Sequence, residues 1–318
     1  MATGGILMAL GATVSWAICV FPFTKAARAM TVSSMNLFRL VVGTILVMLV
    51  AIILNHNNFF SIFSFQFAIA WLWLGISGIV ALGIGDYFNY RMYVILSPRY
   101  GSVLTTLSPA AALLLGSFML RENINATGIS GMIITITGVI TMSLSRAERI
   151  NIPDHGHGSI SKGILFGIVA AFCTGAGLVF SKQGFLTQAK TGHVIDPLTG
   201  SFIRFIVATA VVLLITFVNQ KLLINWRNTM NQSWETLRLA FSGTIFGPLL
   251  GVGFALSSIQ YIDVVVSQTI FALVPVVALF IAHFVYKERI TFRALAGVIV
   301  AICGVVILIW RNNIQAAI

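Results

Sequence analysis

The two halves of this 318-residue chain repeat the same ordered set of landmarks. Each set contains a proline, a basic–acidic pair and two glycines. Every landmark recurs after 166 residues: Pro109 and Pro275, Glu122 and Glu288, Gly131 and Gly297, Gly138 and Gly304. Four landmarks at one constant spacing are hard to obtain by chance in a sequence this rich in apolar residues. The chain is therefore a duplicated unit.

Composition indicates that both units lie in a membrane. Hydrophobic residues make up 58% of the chain and charged residues only 8%, whereas a soluble domain has about 25% charged residues. A hydrocarbon core of about 30 Å requires about 20 apolar residues per helix at ~1.5 Å per residue. We predict an all-α integral membrane protein with ten transmembrane helices, near residues 4–24, 33–54, 67–95, 100–119, 124–144, 160–181, 197–218, 237–260, 264–286 and 291–311.

Five spans in each unit are an odd number, so the second unit must cross the bilayer in the opposite direction to the first. The sequence therefore predicts two inverted five-helix repeats, in residues 1–145 and 160–318, joined by a polar connector at 146–159. Inverted repeats are typical of secondary transporters, which place their binding site between the repeats.

Other functional classes find little support. The net charge of +11 lies in short connections, which indicates membrane orientation and headgroup contact and no nucleic-acid partner. The three cysteines fall inside predicted spans, so we expect no disulfide. Asp154, His155 and His157 in the connector lack a further ligand cluster, so a solvated loop is the preferred interpretation over a metal site. We expect no cofactor and no metal. The first residues lack the basic region of a signal peptide.

Several motifs resemble those of the EamA family of the drug/metabolite transporter superfamily. The first half carries Gly83-Ile-Gly-Asp-Tyr-Phe-Asn-Tyr-Arg91 before Leu107-Ser-Pro109, and the second half carries Lys287-Glu288-Arg289. The resemblance covers nearly the whole chain. It implies ten helices around a central cavity and movement of a small metabolite, an amino acid or similar, by alternating access. Export across the bacterial inner (plasma) membrane is expected, and efflux of lipophilic drugs or cations is the alternative.

Asp86 is the most informative residue within a predicted span. An ionisable side chain there costs about 2.5–3.5 kcal/mol on insertion scales, so it faces the protein interior or water. Asn89 and Tyr90 lie one turn later and Arg91 is close by, which predicts a local polar cluster. Asp86 is a candidate for the substrate or proton path, with protons as a candidate coupling ion. A structural ion pair is the alternative.

Four basic residues occupy matched positions in the two units. Arg39 and Arg204 lie a short way into the second span of each unit, and Lys25 and Lys182 lie near the end of the first. Inversion predicts that the arginines lie near opposite faces of the membrane. They are candidates for binding anionic groups of a substrate. The alternative is that all four reach the headgroups or hold neighbouring helices together.

Polar and aromatic residues complete the candidate site, and two prolines are candidate hinges because they interrupt helical hydrogen bonding. Serine and threonine often bond only to their own helix, and aromatic residues often only pack. The candidates for substrate contact besides Asp86 are Trp16, Phe21, Asn89, Tyr90, Thr105, Ser108, Ser257, Gln260, Gln268 and Thr269, and the candidate hinges are Pro109 and Pro275.

The remaining expectations concern mechanism and assembly. Residues 4–24 and 160–181 contain no acidic residue, which disfavours the cation–proton exchange of small multidrug resistance proteins, whose first span carries a glutamate. No catalytic motif accompanies His283, so an enzyme is disfavoured. A channel or a purely structural membrane protein also ranks low, because neither needs an inverted duplication with paired prolines. Paired glycines predict that the fifth and tenth spans make close helix contacts, preferably with each other within one molecule and alternatively with a second molecule. A monomer is therefore preferred over a dimer.

The charges of the connections predict an orientation. By the positive-inside rule, a bias of twelve basic residues against four places both termini outside the cytoplasm, whereas the family resemblance implies termini inside. The richer side holds Lys25, Arg28, Arg99, Arg146, Arg149, Lys162, Lys221, Arg227, Arg238, Lys287, Arg289 and Arg293, and the other holds Arg121, Lys182, Lys190 and Arg311.

Overall fold

A computed structural model describes residues 2–55, 59–143, 159–286 and 290–312, and within these ranges the chain is helical with no strand. The first half contains α1 (Ala2–Met30), α2 (Val32–Leu54), two 3-10 turns (Phe59–Phe63 and Phe65–Phe67), α3 (Ala68–Ser77), a π segment (Gly78–Gly85), α4 (Asp86–Thr105), α5 (Ser108–Met119) and α6 (Ala126–Ser143). The metal alternative in the connector, at Asp154, His155 and His157, lies outside the described residues.

The second half has a corresponding order of elements, in which a short helix replaces the 3-10 turns and the counterpart of α4 is divided into two helices. It contains α7 (Ile160–Ala189), α8 (Pro197–Val218), the short α9 (Leu222–Met230), α10 (Trp234–Thr244), a second π segment (Ile245–Gly251), α11 (Val252–Tyr261), α12 (Val264–Phe271), α13 (Val274–Tyr286) and α14 (Phe292–Ile309). Each half thus has a π segment in the middle of its third span. The prediction of an all-helical protein is confirmed.

Eight helical stretches in the described part are long and apolar enough to cross a membrane. They are Ala2–Met30, Val32–Leu54, Phe65–Leu96, Ile160–Ala189, Pro197–Val218, Trp234–Tyr261, Val264–Ile281 and Phe292–Ile309. The stretches predicted at 100–119 and 124–144 correspond to two shorter apolar helices, Val103–Met119 and Ala126–Met142. The protein is therefore a multi-pass integral membrane protein, although the two shorter helices do not meet the length of a full span.

The two prolines lie in the first turn of a new helix. α4 ends at Thr105 and Pro109 is the second residue of α5, while α12 ends at Phe271 and Pro275 is the second residue of α13. Proline disfavours helical geometry in the residue before it and has no N–H to donate, so it suits the first turn of a helix. The structure therefore shows each span broken into two helices before its proline.

The first helices of the two halves run antiparallel. Near the start of α1, a Cβ on Gly5 would lie 2.9 Å from side-chain atoms of Tyr261 and Ile262, and near the end of α7 the Nζ of Lys182 donates to the carbonyl of Ile262 at 2.9 Å. The N-terminal end of α1 and the C-terminal end of α7 therefore both lie beside Ile262. We call this side of the molecule the Lys182 face.

The opposite ends meet on the other side, which we call the Lys25 face. There Arg28, near the end of α1, donates to the carbonyl of Val94 at 3.5 Å. Near the start of α7, a Cβ on Gly163 would lie 2.9 Å from the side chain of Ile95. Residues 95 and 261 are equivalent in the repeat. The start of α1 therefore contacts the second repeat at the position where the start of α7 contacts the first. The predicted inversion of the two repeats accounts for this arrangement.

The fifth span of each repeat packs against its equivalent through glycine. α6 packs against α14, where a Cβ on Gly131 would lie 2.7 Å from the carbonyl oxygen of Gly304, and one on Gly297 would lie 2.7 Å from that of Gly138. Only a residue without a side chain lets two backbones approach this closely. The prediction that these spans contact each other within the molecule is confirmed.

Candidate binding cavity

A cavity of about 140 Å³ lies between the two repeats. Its walls come from the first four spans of each repeat, and its volume is comparable with that of a cavity of about 150 Å³ that admits benzene. Nine of the side chains expected to contact a substrate line it. They are Trp16, Arg39, Asp86, Asn89, Tyr90, Thr105, Ser108, Arg204 and Gln268.

Arg39 and Asp86 form an ion pair in the cavity wall. The Nη2 of Arg39 lies 2.9 Å from the Oδ2 of Asp86, and the two side chains are 3% and 23% exposed. Arg39 also donates to the carbonyl of Leu82 at 2.9 Å, and Asn36 donates to that of Gly83 at 3.3 Å. Both carbonyls belong to the π segment, whose distorted hydrogen bonding leaves acceptors that side chains of α2 can reach. Asp86 is thus fixed from a neighbouring helix.

The expected local cluster around Asp86 is only partly present. Asn89 and Tyr90 line the same cavity, but Arg91 points elsewhere and donates to the hydroxyl of Tyr87 at 3.0 Å on an exposed surface. Arg91 lies five positions after Asp86, which rotates it about 140° around a helix of ~3.6 residues per turn. The partner of Asp86 comes instead from a residue 47 positions earlier in the chain.

Arg204 is buried in the same cavity, with 3% of its surface exposed. No hydrogen bond or ion pair of its guanidinium is present among the described residues, and its buried Nε has no hydrogen-bond partner. Across from it, Gly78 allows the π segment to approach, since a Cβ there would collide with the carbonyl of Arg204. Arg204 is therefore a buried cation with no hydrogen bond or ion pair of its own in the described part of the chain, and the acid whose charge acts on it, Asp86, is bound to Arg39.

Arg39 and Arg204, which we expected near opposite faces, both line the one cavity between the repeats. α2 and α8 cross where the hydroxyls of Thr44 and Thr209 lie 2.8 Å apart. Each arginine precedes its threonine by five residues, which is about 7.5 Å along a helix at ~1.5 Å per residue. Because both arginines are this close to the crossing point, both reach the one cavity between the repeats.

Aromatic side chains form much of the apolar wall. The rings of Trp16 and Phe271 meet edge to face with centroids 4.9 Å apart, and those of Phe23 and Tyr90 with centroids 5.5 Å apart. A Cβ on Gly251 would collide with the indole of Trp16, so this glycine makes room for that ring. Such a wall suits an apolar group of about one ring in size.

A chain of hydrogen bonds between polar residues of the two repeats also lines the cavity. Ser108 donates to the Oε1 of Gln268 at 2.9 Å, and the Nε2 of Gln268 donates to the carbonyl of Thr174 at 3.3 Å. Three helices, α5, α7 and α12, are thereby connected at the cavity.

The other candidate residues lie away from the cavity. Ser257 and Thr269 donate to carbonyls of their own helices, those of Gly253 and Val265, which is the alternative expected for such residues. Lys25 pairs with Glu235 at 2.7 Å on the surface. Two further candidates do not line the cavity either: Gln260, which donates to the carbonyl of Ile195, and Phe21, which packs beside the aromatic wall.

The structure adds a buried polar network on the Lys182 face that sequence reasoning did not assemble. Lys182 lies 2.9 Å from the Oε1 of Glu122, and both carboxylate oxygens of Glu122 accept from the backbone N–H of Val264 at 3.0 Å. Beside it Arg311 pairs with Asp263 at 2.6 Å. The recurrence of Glu122 as Glu288 in the repeat was the feature of the sequence that could have identified this network.

No cluster of side chains suited to a metal ion occurs among the described residues.

Comparison with known proteins agrees with this architecture. One solved structure, titled "Crystal structure of protein", has a TM-score of 0.66 and 14% sequence identity over 98% of this chain and 99% of its own, which shows a shared fold. No curated protein sequence matches the chain. The profile of the EamA-like transporter family matches residues 3–144 and 161–310, one match in each repeat. These two matches confirm the resemblance, and the chain belongs to the EamA-like transporter family of the drug/metabolite transporter superfamily.

Proposed function

We propose that the protein is a secondary transporter that moves a small metabolite across the bacterial inner membrane by alternating access. The observation that carries this proposal is the charged and aromatic cavity enclosed between two antiparallel repeats. The substrate class is a small metabolite that bears a carboxylate, because two arginines line the cavity and bind carboxylates well. Export is the expected direction, and the protein acts as a monomer.

The two faces differ in a way that supports alternating access. On the Lys182 face, Lys182 and Glu122 are 15% and 5% exposed, so this ion pair is part of a sealed layer. On the opposite face, the repeat-equivalent Lys25 and its partner Glu235 are 68% and 73% exposed. Because its ion pair is buried, the Lys182 face is closed in the present state. If the two inverted repeats exchanged their conformations, the Lys25 face would be closed and the Lys182 face open.

Asp86 is the carboxylate that lines the cavity in the described part of the chain, so proton coupling would act through it. Its ion pair with Arg39 also places the π segment against α2. Protonation of Asp86 would neutralise the carboxylate that pairs with Arg39, so binding of a proton would weaken an ion pair in the cavity wall.

Efflux of lipophilic cations is the second candidate, and the aromatic wall favours it because rings attract cations. The two arginines oppose it, since a cation would enter a cavity that already carries more positive than negative side chains. Metabolite transport therefore accounts for more of the observed geometry.

The test is transport by the purified protein in liposomes. We expect saturable uptake that is accelerated by substrate on the opposite side, whereas a channel would conduct without such acceleration and an enzyme would consume its ligand. Asp86→Asn should lower transport about 10- to 100-fold, because a charge-assisted hydrogen bond is worth roughly 1.5–3 kcal/mol. Glu235→Gln, which alters an exposed ion pair, is the matched control and should transport normally. Wild-type rate and pH dependence in folded Asp86→Asn protein would contradict the proposed role.

A further inference from the structure

We propose that Arg204 binds a single negative charge on the substrate, so that the cavity takes small organic monoanions. This inference rests on the proposed function only in treating the cavity ligand as the transported molecule. It narrows the class of substrate to carboxylates that carry no compensating ammonium group. Its basis is a difference between the two repeats at the cavity.

The repeats share an arginine but differ at the position of its partner. Gly85 and Gly251 are equivalent, and each ends the π segment of its half. The next residue is Asp86 in the first repeat and Val252 in the second, and both line the cavity. Arg39 therefore has a carboxylate beside it within its own repeat, whereas Arg204 has an aliphatic side chain at the equivalent position.

The charges of the cavity do not balance. Among its lining residues the charged ones are Arg39, Asp86 and Arg204, which gives a net charge of +1. The guanidinium of arginine stays protonated in proteins, so it cannot relieve its burial by losing a proton. A buried charge without a partner is unfavourable. A ligand with one carboxylate supplies the missing partner and can accept two parallel hydrogen bonds from Arg204.

The remaining walls set the size and polarity of the rest of the ligand. The volume of about 140 Å³ and the rings of Trp16, Phe23 and Phe271 accommodate an apolar group no larger than about one ring. An ammonium group would find no unpaired acid, because Asp86 is already bound to Arg39 at 2.9 Å. A zwitterion would also leave the net charge unchanged. The geometry therefore selects a monoanion with a compact apolar body.

The first experiment needs no ligand. Val252→Asp places a carboxylate at the position equivalent to Asp86, and Val252→Asn places an uncharged group of the same shape there. We expect the Asp variant to have the higher Tm of the two in detergent solution, because its carboxylate neutralises Arg204. An Asp variant with a Tm equal to or below that of the Asn variant would show that Arg204 needs no anion, and would overturn the proposal.

The second experiment measures binding with probes that share a four-carbon body and differ in charge: butyrate, butylammonium, butanol and the zwitterion 2-aminobutyrate. Butyrate should raise the Tm of the wild-type protein more than the other three at equal concentration. Arg204→Gln should weaken this response at least about tenfold in apparent Kd, since the lost charge-assisted hydrogen bonds are worth more than ~1.4 kcal/mol. Val252→Asp should weaken the response more than Val252→Asn does, because only the Asp variant carries a carboxylate that competes for Arg204. Equal or stronger stabilisation by any of the other three probes, or unchanged butyrate binding by Arg204→Gln, would overturn the proposal.

Binding in detergent does not depend on transport, so the two proposals fail separately. If butyrate binds as expected but no monoanion shows accelerated exchange in liposomes, alternating access is wrong and the anion site stands. If the liposomes exchange 2-aminobutyrate or butylammonium while butyrate does not bind, transport stands and the anion site is wrong.

Discussion

The ion pair between Lys182 and Glu122 should control which face of the protein is closed. It joins the end of α7 to the connection between α5 and α6, and Glu122 in turn accepts from the first N–H of α12 at Val264. Lys182→Met removes the ammonium group and retains an apolar side chain of similar length. The carboxylate of Glu122 then remains in a layer where its side chain is only 5% exposed.

The size of the effect follows from this burial. Removing one partner of a buried ion pair costs about 3–5 kcal/mol, because the remaining charge is uncompensated. Lys182 is 15% exposed, so we take the lower limit of about 3 kcal/mol. When the Lys182 face opens, water reaches Glu122 and the cost disappears. Since each 1.4 kcal/mol is a factor of ten, the population open at this face should rise roughly 100-fold.

The assay is chemical labelling of a cysteine just beneath this face. Ser258 is fully buried, its hydroxyl donates to the carbonyl of Ala255 at 2.8 Å, and it lies four residues before Ile262. Ser258→Cys is combined with replacement of the three native cysteines by alanine. A membrane-impermeant maleimide added from the Lys182 face should then label the Lys182→Met protein up to about 100-fold faster than the protein with Lys182 intact.

The matched control is Lys25→Met, which removes the repeat-equivalent lysine from its exposed pair with Glu235 on the other face. Exposed ion pairs contribute only about 0–1 kcal/mol, so labelling should change little. If Lys182→Met is folded and its labelling rate matches that of the parent protein, the ion pair does not hold the face closed and this reasoning is refuted.

Three further predictions concern packing, hinges and orientation. Gly138→Ala should destabilise the protein by about 1–3 kcal/mol in thermal unfolding, because the new methyl group meets the backbone of α14; Gly4→Ala, whose Cβ meets nothing within 4 Å, is the control and should be neutral. Pro109→Ala and Pro275→Ala should each slow exchange between access states more than they weaken binding, and equal exchange rates would show that the helix breaks are incidental. A reporter active only in the cytoplasm should be inactive when fused to the C-terminus, as the charge bias predicts, and a strong signal would refute that orientation.

The sequence predicted well those features that depend on periodicity. The 166-residue repeat, combined with an odd number of spans, predicted the inversion, and the glycines at 131 and 297 predicted the contact between α6 and α14. Both follow from helix geometry and from the close approach that only glycine allows. Apolar length alone could not establish ten spans, since the breaks before Pro109 and Pro275 divide helices in ways that hydropathy does not resolve.

Sequence reasoning was weaker where the partners of charged residues come from other helices. Asp86 was assigned neighbours within one turn, yet its partner Arg39 belongs to α2, and the reach of that arginine depends on where α2 crosses α8. A crossing point is a property of packing and is not encoded in one segment. The difference between Asp86 and Val252 was nevertheless present in the sequence, and it becomes informative once both residues are known to line one cavity.

The contact between Thr44 and Thr209 joins two residues that are equivalent in the repeat. The seam between α6 and α14 joins two equivalent helices, and its contact of Gly131 with Gly304 is matched by that of Gly297 with Gly138. When two halves exchange their conformations, a contact between equivalent residues is converted into itself, whereas a contact such as Lys182–Glu122 is converted into a different pair. The contact between the two threonines and the seam as a whole should therefore stay in place during the transition. A line through them is the axis about which the rest of the molecule moves. We expect both to retain their interatomic distances in either access state, so that a covalent crosslink at the glycine seam would leave turnover intact while a crosslink across the Lys182 face would stop it.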